Sequence, residues 1–588
     1  MFDILKKLSW FFKLRWKSYL MGIIALGLCA LFSAATPFLL GRVIDGIAQG
    51  SLSLRDLIFN TGLIMGLALV MYGLRYVWRS TIFGNSTLLE SIMRNRLFDY
   101  FTKMDAIFFN NYRTGDLMAH ATNDLAALRF VAGGGILTLV DSIFVGSINL
   151  LSMFFIVDWK LTLYTLLPFP LLILVSRFLG QSIMRRFRGA LEAFSKMNDQ
   201  VQESVSGMKV IKSFGEEADD YQDFSQATGH VVEKNRRVYQ VEAAYLPVIE
   251  IITGLTYVLA LFFGSYFVSI NRISIGDLIA FFSYLAMMAW PLLAVGRLVN
   301  ILERGNASYD RIVDLLSHQS HIEEVENPIE NPQWGDISFD IESFSYPGED
   351  QPTLRELAFH LEEGQTLGLV GRTGSGKSTI FKLLTRDYDH YEGQIRYGGE
   401  NIKAYRKDDL LEAIGYVPQD NFLFVDTIRE NIRFARPDLD QEGVEYYAKL
   451  AHIHEDIIRL PQGYDTMVGE RGVSLSGGQR QRVAIARALA KNPDFLILDD
   501  ALSAVDAQTE EKILKSLRDH PGARTRIIAS HRLSAVMEAQ EILVLDQGRV
   551  LERGTHQELL AQGGWYREMF DQQELQQNLE EGGEDHEG

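Results

Sequence analysis

Two unlike domains are predicted by this sequence: an α-helical membrane domain of six spans over residues 1–320, and an α/β domain with a phosphate-binding loop over residues 335–571. Three observations predict them. Long uncharged apolar runs are confined to the first half of the chain. Charge shifts between the halves: residues 1–320 hold 29 Lys and Arg against 25 Asp and Glu, a net +4, and the remainder carries −22, giving −18 overall. A Gly-rich loop stands between an apolar strand and a helix-forming run in the second half. A chain of 588 residues also exceeds what one ordinary core accommodates.

The uncharged stretches fall at 20–41, 57–74, 142–157, 161–176, 251–271 and 278–296. Each approaches or reaches the roughly 20 residues that a helix needs to cross a 30 Å hydrocarbon layer. Basic residues cluster in the leading segment (Lys6, Lys7, Lys13, Arg15, Lys17) and in the connections 75–129 and 177–237, which places these on the cytoplasmic side. The connections Asp158-Trp159-Lys160 and Asn271-Arg272 are short enough to be external turns, so both termini are expected inside. Lys6 to Lys17 mixes charge with Trp10, Phe11, Phe12 and Trp16 and reads as an interfacial helix. The single cysteine, Cys29, lies in an apolar run and can form no internal disulfide.

Asp141 interrupts the third run 17 residues before Asp158, roughly 25 Å along a helix. An acid near the inner bilayer boundary either attracts a cationic substrate or sits in wet headgroups. Glu250, at the start of the fifth span, poses the same choice. Ala190 to Val205 and Val231 to Tyr245 lack Gly and Pro and carry mixed charge, so the spans are expected to continue as helices into the cytoplasm. Short elements at Arg113–Leu117 and Ser206–Lys209 would then meet a soluble domain.

Residues 321–334, with Asn327-Pro328 and Asn331-Pro332, read as a linker. Beyond it, Gly371-Arg372-Thr373-Gly374-Ser375-Gly376-Lys377-Ser378 follows the apolar strand Thr366–Val370 and precedes the run from Thr379 to Leu384. That order is a P-loop: glycines let backbone N–H groups approach phosphates, Lys377 reaches the terminal phosphates, and Ser378 suits Mg²⁺. A second strand, Phe495–Asp499, ends in an acid where the metal is to be held. Between them Leu475-Ser476-Gly477-Gly478-Gln479 opens a helical run. It suits a second phosphate, and with one P-loop already serving this domain it is free to meet a nucleotide held by another subunit. An acidic soluble half of this kind excludes a nucleic-acid backbone as partner.

The P-loop, the Leu475–Gln479 signature, the Asp499 strand and Ser530-His531-Arg532, in that order behind six spans, closely resemble the ABC exporters over nearly the whole chain. The resemblance implies ATP and Mg²⁺ as ligands. It implies that Tyr346 stacks on adenine, that Gly371, Thr373, Gly374, Ser375, Gly376, Lys377, Ser378 and Thr379 bind the nucleotide, and that Ser378, Gln419 and Asp499 hold the metal. Gln419 and His531 match the catalytic glutamine and switch histidine, and Ser503–Asp506 the loop joining two sites. Glu470 matches a segment that touches the cytoplasmic helices, and Arg113–Leu117 and the Gly207 region resemble the coupling helices. Ser476, Gly477, Gly478 and Gln479 would complete the site of a second half-transporter.

One position departs from the pattern. Asp500 stands where active members carry glutamate, and its side chain is shorter by one C–C bond, roughly 1.5 Å. The site on this P-loop is therefore expected to be slow, as in the degenerate half of heterodimeric bacterial multidrug exporters. A homodimer with a benign aspartate, a non-hydrolytic regulatory subunit, and a lipid or peptide exporter are the alternatives. The expected setting is the bacterial plasma membrane, with small hydrophobic or cationic substrates. Residues 572–588, Gln- and Glu-rich, are expected to form a disordered acidic tail.

Overall fold

The computed structural model describes residues 3–323, 325–329, 334–469, 475–520 and 525–584. Two compact units emerge: one of residues 1–100 and 115–317, the other of residues 101–114 and 318–588.

Long helices make up the first unit. Helices α1 (Trp16–Ala48) and α2 (Leu54–Thr102) are followed by the short α3 (Ala106–Asn111), which packs with the second unit. Then come α4 (Thr114–Val157), α5 (Phe169–Ser206), α6 (Met208–Phe214), α7 (Glu217–Ser269) and α8 (Ile275–Ser317). Among the described residues four of these, α1, α2, α4 and α7, are long and apolar enough to cross a membrane, not the six expected. The fourth expected run is split: a helical turn over Trp159–Thr165 ends before Pro168, and α5 meets Arg177 within its third turn. The apolar stretch of α8 that is described covers only Ile275–Met288.

The two short turns of this unit are tied together. Asp158 caps the Trp159–Thr165 helix by accepting from the Lys160 and Leu161 N–H groups, and its second oxygen meets Arg272 Nε at 2.7 Å. Close by in the chain, Asp45 of α1 accepts from Gly276 N at 2.7 Å and from Ser274 Oγ at 2.5 Å. At the first turn of α8 the Gly276 N–H is thus satisfied by a carboxylate and the Asp277 N–H by the Ser274 hydroxyl, as an N-terminus favours. Outward, α2 exposes Ile58, Phe59, Met65, Leu69 and Val70, an apolar surface that water would not tolerate in a soluble protein.

In the second unit, β1 (Ile337–Phe344), β2 (Leu354–Leu361), β4 (Glu392–Tyr397) and β5 (Glu400–Asn401) form an antiparallel sheet in the order β2-β1-β4-β5. The second sheet contains β3 (Thr366–Gly371), β6 (Ile414–Val417), β7 (Phe495–Asp499), β8 (Thr525–Ala529), β9 (Glu541–Asp546) and β10 (Arg549–Gly554), in the order β10-β9-β3-β8-β7-β6. Within it β9, β3, β8, β7 and β6 run parallel. Their continuous apolar runs reflect burial on both faces. Side chains alternate accordingly: Leu367, Leu369, Phe495 and Ile497 join a core shared with the antiparallel sheet and with α9 (Lys377–Leu384). Val370, Leu496 and Leu498 turn the other way. They meet α10 (Gly477–Ala490), α11 (Ala507–Asp519) and the C-terminal helix α12 (Trp565–Glu584).

Helix α12 runs through residues 572–584, where a disordered tail was expected. Gln and Glu are good helix formers, and the buried Tyr566 and partly buried Met569 and Phe570 anchor the first turns.

Arg386 is fully buried and serves as a hub. Its guanidinium donates to Asp389 at 2.7 and 3.2 Å and to the carbonyls of Tyr405 and Glu323, each at 3.0 Å. Arg386→Met leaves a partly buried carboxylate and two carbonyls without this partner, an expected loss of about 3–5 kcal/mol. Thermal unfolding of the full-length variant in detergent measures it, and an unshifted transition would show that the hub is dispensable.

Candidate functional site

The carboxyl ends of four neighbouring parallel strands deliver the predicted residues to one edge of the sheet. In the order β3, β8, β7, β6 these are the P-loop, His531, Asp499 with Asp500, and Gln419. Register fixes the alignment: Leu369 pairs with Ala529, Asp499 with Ala529, and Val417 with Leu498. Ser530 N donates to Leu369 O at 3.2 Å, and Asp500 N donates to Ala529 O at 2.9 Å. A crevice outside the carboxyl ends of parallel strands is where open α/β sheets bind ligands.

The loop from Gly371 to Gly376 leads from β3 into α9. Gly371 has φ of 149°, and a Cβ there would stand 2.2 Å from Leu545 O, so no other residue fits. Gly376, at φ 105°, caps α9, whose first N–H groups face the loop. Lys377 is 7 % exposed, and its ammonium donates to Gly371 O at 2.8 Å and Arg372 O at 3.1 Å. Burial pulls its pKa down, against the pull of Asp500 and Asp499. Ser375 Oγ is buried with no hydrogen-bond partner among the described residues. Thr373 and Gly374 complete the loop, Gly374 at φ 81°.

Asp499 is 4 % exposed, and burial pushes its carboxyl above the usual range. The Ser378 hydroxyl donates to it, and neighbouring Asp500 pushes the same way as burial, while Lys377 and the Tyr416 hydroxyl oppose. A serine oxygen and a carboxylate brought together are the donor set of a hard divalent cation that also takes phosphate oxygens. Among the described residues no cluster of three or more His, Cys, Asp or Glu forms a metal site of its own. Tyr416 gave no signal in the sequence; it reaches Asp499 only because β6 lies beside β7.

Asp500 adopts φ of 49°, a left-handed conformation that aspartate tolerates better than most residues. Its Oδ1 is buried with no hydrogen-bond partner among the described residues. Its carbonyl accepts from Ser503 Oγ at 2.9 Å. Gln419 and His531 are exposed at the same edge. Tyr346 Oη is 2.9 Å from Thr379 Oγ1, and Lys382 Nζ stands 5.2 Å from its ring centre, which sets an aromatic platform beside the first turns of α9.

The signature is built differently. Ser476 and Gln479 form a capping box on α10: Gln479 N donates to Ser476 Oγ at 3.2 Å and Ser476 N to Gln479 Oε1 at 3.0 Å. Gln479 Nε2 also reaches Asp456 Oδ1 at 3.2 Å. A Cβ on Gly478 would stand 2.6 Å from Ala504 O, because the loop after Asp500 packs directly on the helix entrance. Among the described residues no hydrogen bond or ion pair joins Ser476–Gln479 to the P-loop of the same chain. Glu470 lies outside the described residues.

A short helical element is present at the expected Arg113–Leu117 position, and a second one precedes it. Thr114 to Leu117 begin α4, and the docked element is α3, capped by Asp105. Asp105 accepts from Phe108 N at 2.9 Å and from the backbone and ring of His321. Burial pushes the Asp105 carboxyl up, but the bonds from Phe108 and His321 prevail and hold it below its ordinary value. Ile107 enters the core of the second unit, and Asn110 donates to the Tyr388 hydroxyl at 3.0 Å. An acid followed by Ala106-Ile107-Phe108-Phe109 was the available signal. After Gly207, the second expected element is present as α6, and it buries nothing.

Comparison with known proteins bears on this geometry. The ABC transporter transmembrane region family matches residues 19–292, and the ABC transporter family matches residues 354–503. The "Probable multidrug resistance ABC transporter ATP-binding/permease protein YheI" of Bacillus subtilis (strain 168) is 42% identical over 583 residues, covering 99% of this chain and 100% of that protein. "Multidrug resistance-like ATP-binding protein MdlA" of Escherichia coli (strain K12) is 41% identical, covering 99% and 98%. The "ATP-dependent lipid A-core flippase" of Haemophilus influenzae (strain 86-028NP) is 32% identical, covering 96% and 97%. A solved structure of a bacterial Atm1-family ABC exporter with ATP bound superposes with a TM-score of 0.75 at 28% identity, covering 95% of this chain and 98% of that one.

Gly478→Ala forces the Ala504 carbonyl away from the helix entrance. ATP hydrolysis by the full-length protein is expected to fall at least about ten-fold with nucleotide binding retained. Unchanged turnover would show that this close approach does not matter.

Proposed function

This chain belongs to the ABC transporter family, and on that premise we propose that it is one half of a bacterial multidrug exporter. It is an ATP-hydrolysing transporter with a membrane domain and an ATPase domain in one chain. In the proposed arrangement it has six spans in the plasma membrane, both termini are cytoplasmic, and it pairs with a second, different half. ATP sits on the P-loop with adenine against Tyr346, and Gly371, Thr373, Gly374, Ser375, Gly376, Lys377, Ser378 and Thr379 hold the phosphates. Ser378, Asp499 and Gln419 would hold Mg²⁺, which supplies charge neutralisation on the phosphates when bound. Ser476–Gln479 closes on the nucleotide of the partner.

Asp500 is the observation that carries the asymmetry. Its carboxylate must orient and deprotonate the attacking water, and it is one bond shorter than glutamate at a backbone position fixed by Ala529 and Ser503. In the proposed arrangement His531, exposed at the same sheet edge, contacts the γ-phosphate. The signature's capping box is intact and is not engaged with its own P-loop among the described residues, which supports its use by another chain.

Pairing gains support from α6. Val210 and Phe214, one helical turn apart, are 60% and 77% exposed, an apolar face suited to the nucleotide-binding domain of the partner. For substrates, the Asp141 carboxylate accepts from the Trp290 indole at 3.2 Å, and no basic residue forms an ion pair with it among the described residues. That combination suits hydrophobic or cationic compounds. Glu250 is exposed on α7.

Asp500→Glu in the assembled pair tests the proposal. Single-turnover hydrolysis is expected to lose its slow phase, with an acceleration of about ten- to a thousand-fold; an unaltered slow phase would refute the reach argument. Phe214→Asp is expected to leave ATP binding intact and to abolish stimulation of hydrolysis by transported compounds. Full stimulation in that variant would remove α6 from the coupling path.

A further inference from the structure

Helix α12 places one side chain against the switch segment. Gln573 Nε2 donates to His531 O at 2.8 Å, and Leu533 N donates to Gln573 Oε1 at 3.0 Å. A single side-chain amide therefore satisfies a carbonyl and an N–H on either side of Arg532, as a neighbouring strand's peptide would. Two geometric facts make this a built contact. Gln573 lies seven residues after Tyr566, two helical turns on the same face. Tyr566 is fully buried, its hydroxyl is 2.8 Å from His556 Nδ1, and the Glu552 carboxylate accepts from the Trp565 and Tyr566 N–H groups at the start of the helix. The helix is bolted at that end, so the position of Gln573 is set.

The other restraints on the segment act on its neighbours. Arg532 N donates to Ser530 Oγ at 3.0 Å, and its guanidinium meets Val505 O at 2.7 Å and Glu510 at 3.0 Å, which links it to the loop after Asp500. Leu533 is buried, while the His531 side chain is exposed at the site edge. Of these restraints, only the bond from Gln573 reaches the His531 residue itself.

We propose that Gln573 is a positioning residue for His531, and that through it the C-terminal helix sets the rate of ATP hydrolysis at this chain's P-loop. This rests on His531 acting on the γ-phosphate, as proposed above. Without the amide the His531–Leu533 backbone loses both restraints and the imidazole spreads over a wider range of positions. Chemistry then slows, because displacements on the ångström scale matter in a transition state. ATP binding is held by the P-loop and changes little.

The test is single-turnover hydrolysis, which resolves a slow and a fast site as two phases, on full-length protein in its active assembly. Gln573→Ala is expected to lower the rate of this chain's phase roughly three- to thirty-fold at saturating ATP, with the ATP concentration for half-maximal rate unchanged. Gln572→Ala, on the exposed face of the same helix, is expected to match wild type. His531→Ala combined with Gln573→Ala is expected to be no slower than His531→Ala alone, which a merely structural role would not produce. Wild-type rates for Gln573→Ala, or additive losses in the double variant, overturn the inference while leaving the function intact. A His531→Ala variant as fast as wild type overturns both.

Discussion

Gln481 is the side chain on which the rest of the nucleotide-binding unit depends. It is 6% exposed, one turn into the helix that presents the signature, and its amide is spent on a single loop. Its Nε2 donates to Ser503 Oγ at 3.1 Å and to Asp500 O at 3.4 Å, and its Oε1 accepts from Ala504 N at 2.9 Å. With donors and acceptor both engaged, the signature helix and the segment from Asp500 to Ala504 cannot move separately without stranding buried polar groups. The close packing of Gly478 on Ala504 enforces the same registry sterically. In the proposed pair, a chain that lends its signature to one site and its acid to another therefore moves both together. Coupling between two sites needs no longer path than this one amide and one glycine.

How much of this is legible in the sequence follows from the range of each interaction. The P-loop, the signature and the strand ending at Asp499 are local patterns: an apolar run buried on both faces, then residues that only a phosphate-binding turn requires. Each can be placed from its own few residues. Tyr416, Gln481 and Gln573 cannot, because each acts across a strand pairing or a helix contact that separates it by many residues from its target. A glutamine in a polar C-terminal stretch looks like solvent-facing filler until Tyr566 fixes which face of its helix turns inward. The docked helix α3 is an intermediate case. A short element was expected at Arg113–Leu117, and the helix just before it has Asp105 as its cap and Ile107 as its buried anchor. A cap of this kind satisfies an orphan N–H group at the helix start.

In the membrane unit, length and composition decide what can be read. Helices α1, α2, α4 and α7 each carry a run long enough to span a bilayer. The segment on either side of Pro168 does not do so as one helix, since proline interrupts the hydrogen-bond ladder and the apolar residues are shared between two pieces. What holds such helices together is not hydrophobic burial, which lipid offers equally well. Polar bonds and close backbone approach take over: Asp45 to Ser274 and Gly276, Asp158 to Arg272, and the Tyr284 hydroxyl to Ala34 O at 2.8 Å. None of these pairs is visible as a motif, because the partners are far apart in sequence and several of the bonds go to backbone groups.

The short acid at position 500 is consistent with its backbone as well as with its proposed role. A left-handed φ of 49° costs an ordinary L-residue roughly 1–2 kcal/mol, and aspartate is among the residues that reach it most readily. A ten-fold gain in rate corresponds to about 1.4 kcal/mol, the same size as that strain. Lengthening the side chain would therefore gain rate at a cost in the stability of the turn, since the strain is present in ground and transition state alike. The size of that cost depends on whether the turn can relax. The turn is held by Ala529, Ser503 and Gln481, three partners that also fix the signature helix and the neighbouring strand. Relaxing it would disturb the element offered to the partner. Under the proposed division of labour, a chain that must keep its signature rigid for another site has a structural reason to leave its own acid short.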